Sequence, residues 1–282
     1  MNDASYAFLD CGDRRRLERL GGGVVARPAP AADWRPGLPP ERWAEAGLTF
    51  SRSGGWTGEA RGDWRVRLDA AVMGLRPAGG GQVGVFPEHL QVYERLSGIL
   101  DGLAVREVRV LNLFAHTGLA TLLLAARSDV AEVVHVDGAA AAVRQGRENA
   151  LLSGLGEKRI RWLVDDAAAF MEREVRRGRE YDAILADPPA FGRGGGRRGA
   201  GEWKLERDLP GLLERAGVLL APRRGLLCLS CHSEGWTAED VARLTTEQTG
   251  MGWTESVSLT LRAAPGGRDL PCGQATYARF AV

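Results

Sequence analysis

The hydrophobic pattern of the chain changes character near residue 82. Before that point, short β-like runs alternate with turns rich in Pro and Gly. After it, β-branched runs alternate with longer stretches of helical periodicity. The early runs predict strands at 24–27, 48–52 and 64–68. We therefore expect a small, mostly antiparallel β-rich module at 1–82 and a larger α/β domain at 83–282.

The second part predicts seven strands separated by helices. The strands cover 107–114, 132–136, 160–164, 183–186, 225–230, 253–261 and 276–282. The helices cover 90–100, 119–127, 139–153, 167–177, 203–220 and 238–249. Strands that alternate with crossover helices form a doubly wound, Rossmann-like α/β sheet. Because such sheets bind ligands beyond the carboxyl ends of their strands, the strand ends are where the chemistry is expected.

The charge balance and the apolar runs exclude several classes of protein. The chain has 37 Lys plus Arg and 36 Asp plus Glu, and its net charge of +1 excludes a globally basic nucleic-acid binder. Any contact with RNA therefore has to be local. No apolar run reaches the roughly 18 residues of a membrane span, and the N-terminus lacks a secretory segment. We expect a cytoplasmic protein without a membrane partner.

The cysteines argue against a disulfide framework and against a zinc site. A chain with four cysteines and no export signal is expected to keep its thiols reduced. Cys228 and Cys231 have the CxxC spacing of many zinc and redox sites, but they lie in a predicted strand. Because positions three apart on a strand point to opposite faces, the two sulfurs would not converge. We therefore predict no metal.

The first strand of the α/β domain ends in a turn suited to a nucleotide-like ligand. Residues 112–118 connect that strand directly to a helix. A dinucleotide such as NAD needs three glycines so that the backbone can approach its pyrophosphate, and this turn has only Gly118. S-adenosylmethionine (SAM) has no pyrophosphate and needs only one close approach. SAM is therefore the better match.

Acidic residues follow the next two strands. Asp137 ends the second strand 19 residues after Gly118. That is close to the offset of about 20 residues at which an acid binds ribose hydroxyls. Asp166 follows the third strand, where a carboxylate can accept from an adenine amino group or cap the next helix, and both interpretations stay open. A turn and two acids at three successive strand ends reinforce one another as a cofactor site.

The fourth strand ends in the most specific pattern of the chain, Asp187-Pro188-Pro189-Ala190-Phe191. Two consecutive prolines fix a rigid bend, which presents Asp187 and the neighbouring carbonyls at the edge of the sheet. Phe191 supplies an aromatic face. A carboxylate or carbonyl beside an aromatic ring can orient a planar heterocycle by hydrogen bonding and stacking.

These four strand ends resemble motifs I to IV of the class I SAM-dependent methyltransferases. Together with residues 84–89, 191–194, 202–205 and 208–210, they are similar to the large-subunit ribosomal RNA methyltransferases that modify cytosine C5 or guanine. The resemblance implies a seven-stranded sheet of order 3-2-1-4-5-7-6, with the seventh strand antiparallel. It also implies SAM as the cofactor and S-adenosylhomocysteine as the product.

The resemblance also assigns roles to individual positions. The expected cofactor-binding residues are Phe86, Asn112, Phe114, Ala115, His116, Thr117, Gly118, Asp137, Gly138, Asp166, Ala167 and Asp187. The expected catalytic residues are Asp187, Pro188, Phe191 and Cys231. The chain departs from the family at His116, where an aromatic residue is usual, at Leu119, where a second glycine is common, and at Gly138, which has no side chain to touch the ribose.

Two mechanisms of methyl transfer stay open. Cys231 follows the fifth strand and resembles the nucleophile of RNA pyrimidine C5 methyltransferases, whose thiolate adds to C6 and makes C5 nucleophilic. In that mechanism Asp187 protonates or hydrogen-bonds to N3. Transfer to a nitrogen needs no covalent step. It requires a lone pair held about 3 to 3.5 Å from the methyl carbon, which Asp187, the Pro188 carbonyl and Phe191 can arrange.

The resemblance makes RNA, in particular ribosomal RNA, the expected partner. The basic loop between Arg193 and Arg198 and the Trp-rich N-terminal module are the candidates to contact it. A nucleoside-like or natural-product small molecule is the alternative substrate. A degenerate, non-catalytic fold that associates with RNA is the alternative to an enzyme. The pattern specifies neither the methylated atom nor the oligomeric state.

Overall fold

The computed structural model describes residues 5–60, 62–103, 106–192, 202–233 and 235–280. The chain forms two compact units. The first contains Met1–Glu88, Glu148–Ser153 and Thr260–Cys272, and the second contains His89–Arg147, Gly154–Leu259 and Gly273–Val282. The sequence predicted one boundary after residue 82, whereas two later segments also belong to the first unit.

Strands and α-helices follow one another along the described residues. The strands are β1 (Tyr6–Gly12), β2 (Arg15–Leu20), β3 (Gly23–Pro28), β4 (Leu48–Ser51), β5 (Gly55–Gly58), β6 (Arg65–Leu68), β7 (Ala71–Gly74), β8 (Val108–Leu113), β9 (Val130–Asp137), β10 (Ile160–Val164), β11 (Ala183–Ala186), β12 (Phe191–Gly192), β13 (Trp203–Lys204), β14 (Leu226–Cys231), β15 (Trp253–Leu261) and β16 (Leu270–Arg279). The helices are α1 (Pro40–Trp43), α2 (His89–Leu103), α3 (Leu119–Ala126), α4 (Ala140–Leu152), α5 (Ala167–Arg176), α6 (Leu205–Leu219) and α7 (Ala238–Thr249). The bounds of β10, β11, β15 and α7 are those that the sequence pattern predicts.

The first unit is built around a sheet of five strands in the order β1-β2-β3-β4-β5. Strands β3 and β4 run parallel, and the other neighbours in this sheet pair antiparallel. Strands β6 and β7 form a separate antiparallel hairpin. The predicted β-rich module at the N-terminus is therefore confirmed.

The second unit contains the main sheet, whose strand order is β10-β9-β8-β11-β14-β16-β15. In the order of the α/β domain this is 3-2-1-4-5-7-6, as predicted. Strand β16 pairs antiparallel with β14, whereas β8, β9, β10, β11 and β14 pair in parallel. The Rossmann-like methyltransferase architecture is therefore confirmed.

One face of this sheet forms the largest part of the core. The core takes one residue in two from four neighbouring strands: Leu111 and Leu113, Val134 and Val136, Ile184 and Ala186, and Leu227 and Leu229. These side chains pack against α5, α6 and α7. Because side chains alternate along a strand, the intervening residues face the other side of the sheet. That alternation decides which residues can reach the site.

The described helices cover the sheet and stay short. Helix α3 is apolar on all sides because it is enclosed, and Leu122, Leu123 and Leu124 are fully buried. The longest described helices, α2 and α6, have 15 residues each. None of the described helices has the length and apolarity to cross a bilayer.

The observed elements differ from the predicted ones where tertiary pairing overrides the local pattern. Helix α6 starts at Leu205 instead of residue 203, because Trp203 and Lys204 pair with residues 191–192 in a two-stranded ribbon. Strands β1 and β2 were not predicted. The sequence of β2 is rich in charged residues, which is not typical of a buried strand. In the structure Arg16 and Glu18 are both buried, and Nε of Arg16 lies 3.4 Å from Oε2 of Glu18.

Candidate active site

A cleft lies at the carboxyl end of the main sheet. Its lining comes from β8, β11 and β14 together with α2 and α3, and includes Tyr93, Asn112, Asp187, Cys228 and Ser230. Open α/β sheets bind their ligands at this edge, near the point where the strand order reverses. Strands β8, β11 and β14 therefore line one cleft where a ligand is expected, whereas Asp137 and Asp166 lie at the ends of β9 and β10 and are not among its lining residues.

The turn between β8 and α3 has an uncommon backbone. Phe114 and His116 have φ angles of 54° and 48°, in the left-handed region that non-glycine residues rarely adopt. Gly118 is the N-cap of α3 and has φ of 90°, where any side chain would be strained. Strained backbone of this kind concentrates at functional sites. The turn presents the amide groups of the α3 N-terminus, as close approach to a ligand requires.

Asp137, at the end of β9, braces this turn. Its Oδ2 accepts a hydrogen bond from the N–H of His116 at 2.8 Å, and its Oδ1 accepts from the N–H of Ala139 at 2.8 Å. Each carboxylate oxygen keeps a second lone pair. The side chain is therefore held in place with acceptor capacity left over, which suits the predicted ribose contact.

Asp166 and its neighbours occupy the next strand end. Asp166 is the N-cap of α5, and its Oδ1 accepts from the N–H of Ala169 at 2.9 Å. Ala167 is buried and Gly138 is half-buried. The capping interpretation of Asp166 thus has a direct contact, while its contact with adenine stays a prediction.

A buried polar chain lies behind the cleft. Asn112 donates from Nδ2 to Oγ1 of Thr121 at 2.9 Å, and that Oγ1 lies 2.9 Å from Nδ1 of His135. The hydroxyl of Thr121 thus accepts from Asn112 and shares a second hydrogen bond with Nδ1 of the His135 ring. Burial, and then charge repulsion from His116, lowers the pKa of His135 from 6.5 to about 3. The hydrogen bonds between Asn112 and Thr121 and between Thr121 and His135 fix the orientation of the Asn112 side chain in the wall of the cleft.

The buried His135 predicts a loss of stability in acid. Between pH 6.5 and about 3, the unfolded chain binds a proton at this residue that the folded chain excludes. The folded state therefore loses about 1.4 kcal/mol per pH unit below 6.5, or about 2 kcal/mol by pH 5. In His135→Asn, whose amide can replace the hydrogen bond of Nδ1, that part of the loss is expected to disappear. Urea unfolding at pH 7.5 and pH 5 measures it, and equal losses in both proteins would contradict the assignment.

Two histidines approach the carboxylate of Asp187. Nε2 of His89 lies 3.2 Å from Oδ2, and Nε2 of His232 lies 3.1 Å from Oδ1. The planes of the two rings are within 7° of parallel, and their centroids are 5.7 Å apart. Burial alone would raise the pKa of this carboxyl, but the charge of His89 and the polar contacts of both imidazoles outweigh burial and hold the pKa well below its usual range. The end of β11 therefore carries a negative charge.

The bend after Asp187 is fixed by Trp203. Nε1 of Trp203 donates to the carbonyl of Pro189 at 2.8 Å, and the indole packs against the ring of Phe114 with centroids 5.0 Å apart. Phe191 follows this bend, and 73% of its surface is exposed, which is unusual for a large apolar side chain. The bend thus presents an open aromatic face on the segment that follows the carboxylate.

The two cysteines of β14 lie on opposite faces, as the strand geometry predicts. Cys228 lines the cleft together with Ser230. Cys231 belongs to the core on the other face and is 4% exposed. Burial raises the pKa of the Cys231 thiol, and the charge of Asp187 raises it further. This thiol is therefore directed away from the cleft and disfavoured as a thiolate.

Four further features bear on the site: Phe86, the basic loop, His89 and Trp203. Phe86 is half-buried in the first unit, and its contact with the cofactor stays a prediction. The basic loop between Arg193 and Arg198 lies outside the described residues. Sequence reasoning did not select His89 or Trp203. The available signal was only that each belongs to a segment of the family resemblance.

Comparison with known proteins supports the class that the fold and the cleft define, a Rossmann-like protein that binds SAM. The family described as S-adenosylmethionine-dependent methyltransferase matches residues 95–230. The crystal structure of the SAM-dependent methyltransferase from Agrobacterium tumefaciens is 34% identical, with a TM-score of 0.88 over 99% of this chain and 91% of that chain. The chain belongs to the S-adenosylmethionine-dependent methyltransferases. It is a methyltransferase, and SAM is its cofactor.

Two curated relatives match this chain over a minor part of their own length. The ribosomal RNA large subunit methyltransferase K/L of Methylococcus capsulatus is 31% identical over 172 residues, which are 57% of this chain and 22% of that protein. The 23S rRNA (uracil(1939)-C(5))-methyltransferase RlmD of Alkalilimnicola ehrlichii is 39% identical over 133 residues, which are 45% of this chain and 28% of that protein. The chain thus spans less than a third of each relative's length.

Proposed function

We propose that this methyltransferase transfers the methyl group of SAM to a nitrogen of a base in RNA, with ribosomal RNA as the expected substrate. One observation carries the proposal. The carboxylate of Asp187 stands at the cleft, and the exposed ring of Phe191 follows it on a rigid bend. A carboxylate can accept from an amino or imino group of a base while a ring stacks on its face. Most small-molecule pockets, in contrast, enclose their ligand and leave little aromatic surface exposed.

The residues of the β8–α3 turn fit the cofactor. SAM supplies an electrophilic methyl group on a sulfonium. Gly118 permits close approach of the backbone, and Asp137 offers its remaining lone pairs to the ribose hydroxyls. Asn112, oriented by Thr121, lines the cleft together with Asp187. We propose that Asp166 accepts from the adenine amino group with the oxygen that does not cap α5.

The position of Cys231 favours nitrogen over cytosine C5. A covalent C5 mechanism needs a thiolate that reaches C6 of the base in the cleft. Cys231 instead packs with Leu227 and Leu229 on the opposite face of the sheet. Transfer to nitrogen needs only a lone pair in line with the methyl group, held by Asp187, the carbonyl of the buried Pro188 and the ring of Phe191.

The names of the relatives support RNA as the substrate class. The two curated relatives are named as ribosomal RNA methyltransferases, and one of them is named for transfer to uracil C5. C5 transfer is therefore the second candidate, with a nucleoside-like small molecule after it. We propose that the N-terminal module and the basic loop between Arg193 and Arg198 contact the RNA. Because the phosphates carry the negative charge, such contacts would weaken with salt.

Nucleoside mass spectrometry tests the substrate. Total RNA from cells that lack the protein is expected to lack one methylated nucleoside, which the purified enzyme and SAM restore in vitro. The mass of the modified nucleoside and its fragments identify N-methyl or C-methyl products. An unchanged set of nucleosides, together with SAM turnover on small-molecule extracts, would contradict the RNA proposal.

Cys231→Ala tests the mechanism. Because the thiol lies in the core, we expect turnover on RNA to stay within about threefold of the wild type, with a stability loss of about 1 kcal/mol. Single-turnover methylation and thermal unfolding measure the two effects. A folded Cys231→Ala protein without methyl transfer would instead establish the covalent C5 mechanism.

A further inference from the structure

Three side chains from distant parts of the chain converge at the cleft. His89 begins α2, Asp187 follows β11, and His232 follows β14. One potential metal-ligating atom from each lies within 4.8 Å of those of the other two. In the sequence, Asp187 is 98 residues from His89 and 45 residues from His232. The cluster therefore cannot be predicted from a local spacing of residues.

The atoms that converge are those of a transition-metal site. Two imidazole nitrogens and one carboxylate oxygen are the ligands that Zn²⁺, Co²⁺ and Ni²⁺ accept readily. With metal–ligand bonds of about 2.1 Å, neighbouring ligand atoms lie about 3.0 to 3.4 Å apart. Nε2 of His89 lies 3.2 Å from Oδ2 of Asp187, and Nε2 of His232 lies 3.1 Å from Oδ1. Each imidazole nitrogen is therefore at ligand spacing from one oxygen of the carboxylate, and one ligand atom from each residue lies within 4.8 Å of the other two.

The carboxylate has a polar group that the protein does not satisfy. Oδ1 of Asp187 is enclosed and receives no well-directed hydrogen bond, although Nε2 of His232 is 3.1 Å away. A buried oxygen without a hydrogen bond costs free energy, and a cation would remove that cost. The side chain of His232 is 32% exposed, which leaves it room to rotate and direct its Nε2 lone pair. A neutral imidazole can place its proton on Nδ1 when Nε2 binds a metal.

We propose that His89, Asp187 and His232 bind one divalent transition-metal ion, such as Zn²⁺, and that this ion inhibits methyl transfer. The inhibitory part rests on the proposed function, in which Asp187 accepts a hydrogen bond from the target nitrogen. A carboxylate engaged by a cation is no longer available for that bond. The metal and the acceptor base therefore compete for the same group.

The two-cysteine spacing is not part of this site. Cys231 faces the core and Cys228 faces the cleft, so the two thiols lie on opposite sides of the sheet and cannot bind the same ion. Cys231→Ala is therefore a matched control, because it removes a metal-binding side chain next to His232 without touching the cluster. A site formed by the thiols would lose the metal in this variant.

Metal binding is tested without reference to activity. The full chain, freed of metal with EDTA, is titrated with CoCl₂ and with ZnCl₂, and bound ion is measured by equilibrium dialysis and by the visible absorption of Co²⁺. We expect one ion per chain. His89→Ala and His232→Ala are expected to weaken binding by about 100-fold, whereas Cys231→Ala binds like the wild type. Absence of binding in the wild type, or loss of binding in Cys231→Ala, would overturn the site.

A second measurement tests inhibition. ZnCl₂ is expected to stop turnover of the wild type at the concentrations that fill the site, and EDTA is expected to restore it. In His232→Ala, whatever its basal rate, the inhibitory concentration should rise by about 100-fold. Unchanged or increased turnover of the zinc-loaded wild type would refute competition. An enzyme that methylates RNA but binds no metal contradicts only this inference. A chain that binds one ion but never methylates RNA contradicts the proposed function and the inhibitory part that rests on it, while the metal site itself is retained.

Discussion

Asp187→Asn is expected to lower kcat for methyl transfer by about 100- to 1000-fold. The amide of Asn keeps the shape of the side chain but removes the charge and one acceptor oxygen. The substitution alters the carboxylate at the end of β11, whose oxygens lie 3.2 Å from Nε2 of His89 and 3.1 Å from Nε2 of His232. The cofactor turn between β8 and α3 is unaltered. We therefore expect the loss in kcat to be much larger than any change in SAM affinity.

Single-turnover rates and SAM titration calorimetry separate these two effects. Asp240→Asn is the matched control, because Asp240 is a carboxylate on α7 outside the cleft and undergoes the same change of charge. It should turn over like the wild type. If Asp187→Asn kept more than about a tenth of the wild-type kcat, the carboxylate would not orient the acceptor as proposed.

Asp137→Ala is expected to weaken SAM binding by about 100-fold. The substitution removes the proposed ribose acceptor and also the two hydrogen bonds that hold the N–H groups of His116 and Ala139. Hydrogen bonds to a charged group contribute about 1.5 to 3 kcal/mol each, and the left-handed backbone of the turn depends on such support. Isothermal titration with SAM measures the affinity, and thermal unfolding without SAM measures the cost to the fold.

Asp182→Ala controls for the loss of a carboxylate that holds backbone. Oδ2 of Asp182 accepts from the N–H of Arg109 at 2.8 Å, but Asp182 precedes β11 and so lies at the amino end of the sheet. We expect lower stability and unchanged SAM affinity in this variant. Equal losses of SAM affinity in Asp137→Ala and Asp182→Ala would show that Asp137 acts through stability alone.

Local pattern predicted the α/β domain closely. Strands β10 and β11 and helix α7 have the predicted bounds, because periodicity and turn residues at their ends are both local signals. The ribbon of β12 and β13 and the strands β1 and β2 were not visible in the same way. Their pairing joins residues whose own pattern is charged or short, and it is decided by contacts elsewhere in the chain.

Local sequence signals identified some residues of the site, whereas others are brought together only by the fold. Asp137, Asp187 and Gly118 could be selected from the sequence, because the end of a parallel strand is marked by the change from apolar to polar residues. The sequence could not select His89 as a partner of Asp187, since 98 residues separate them. It also left open whether Cys231 is a nucleophile or whether transfer to nitrogen needs no covalent step. The core contacts of the thiol favour the second.

By itself, the sequence determined the order of the seven strands of the main sheet, the strand ends that carry the chemistry and the family to which they are similar. These features depend on residues close together in the chain, whose periodicity and turn chemistry act locally. Only the tertiary structure decided which side of β14 faces the cleft, how Trp203 fixes the Pro-Pro bend, and that two histidines meet at Asp187. Those features depend on the register and packing of distant segments, which the whole fold determines together.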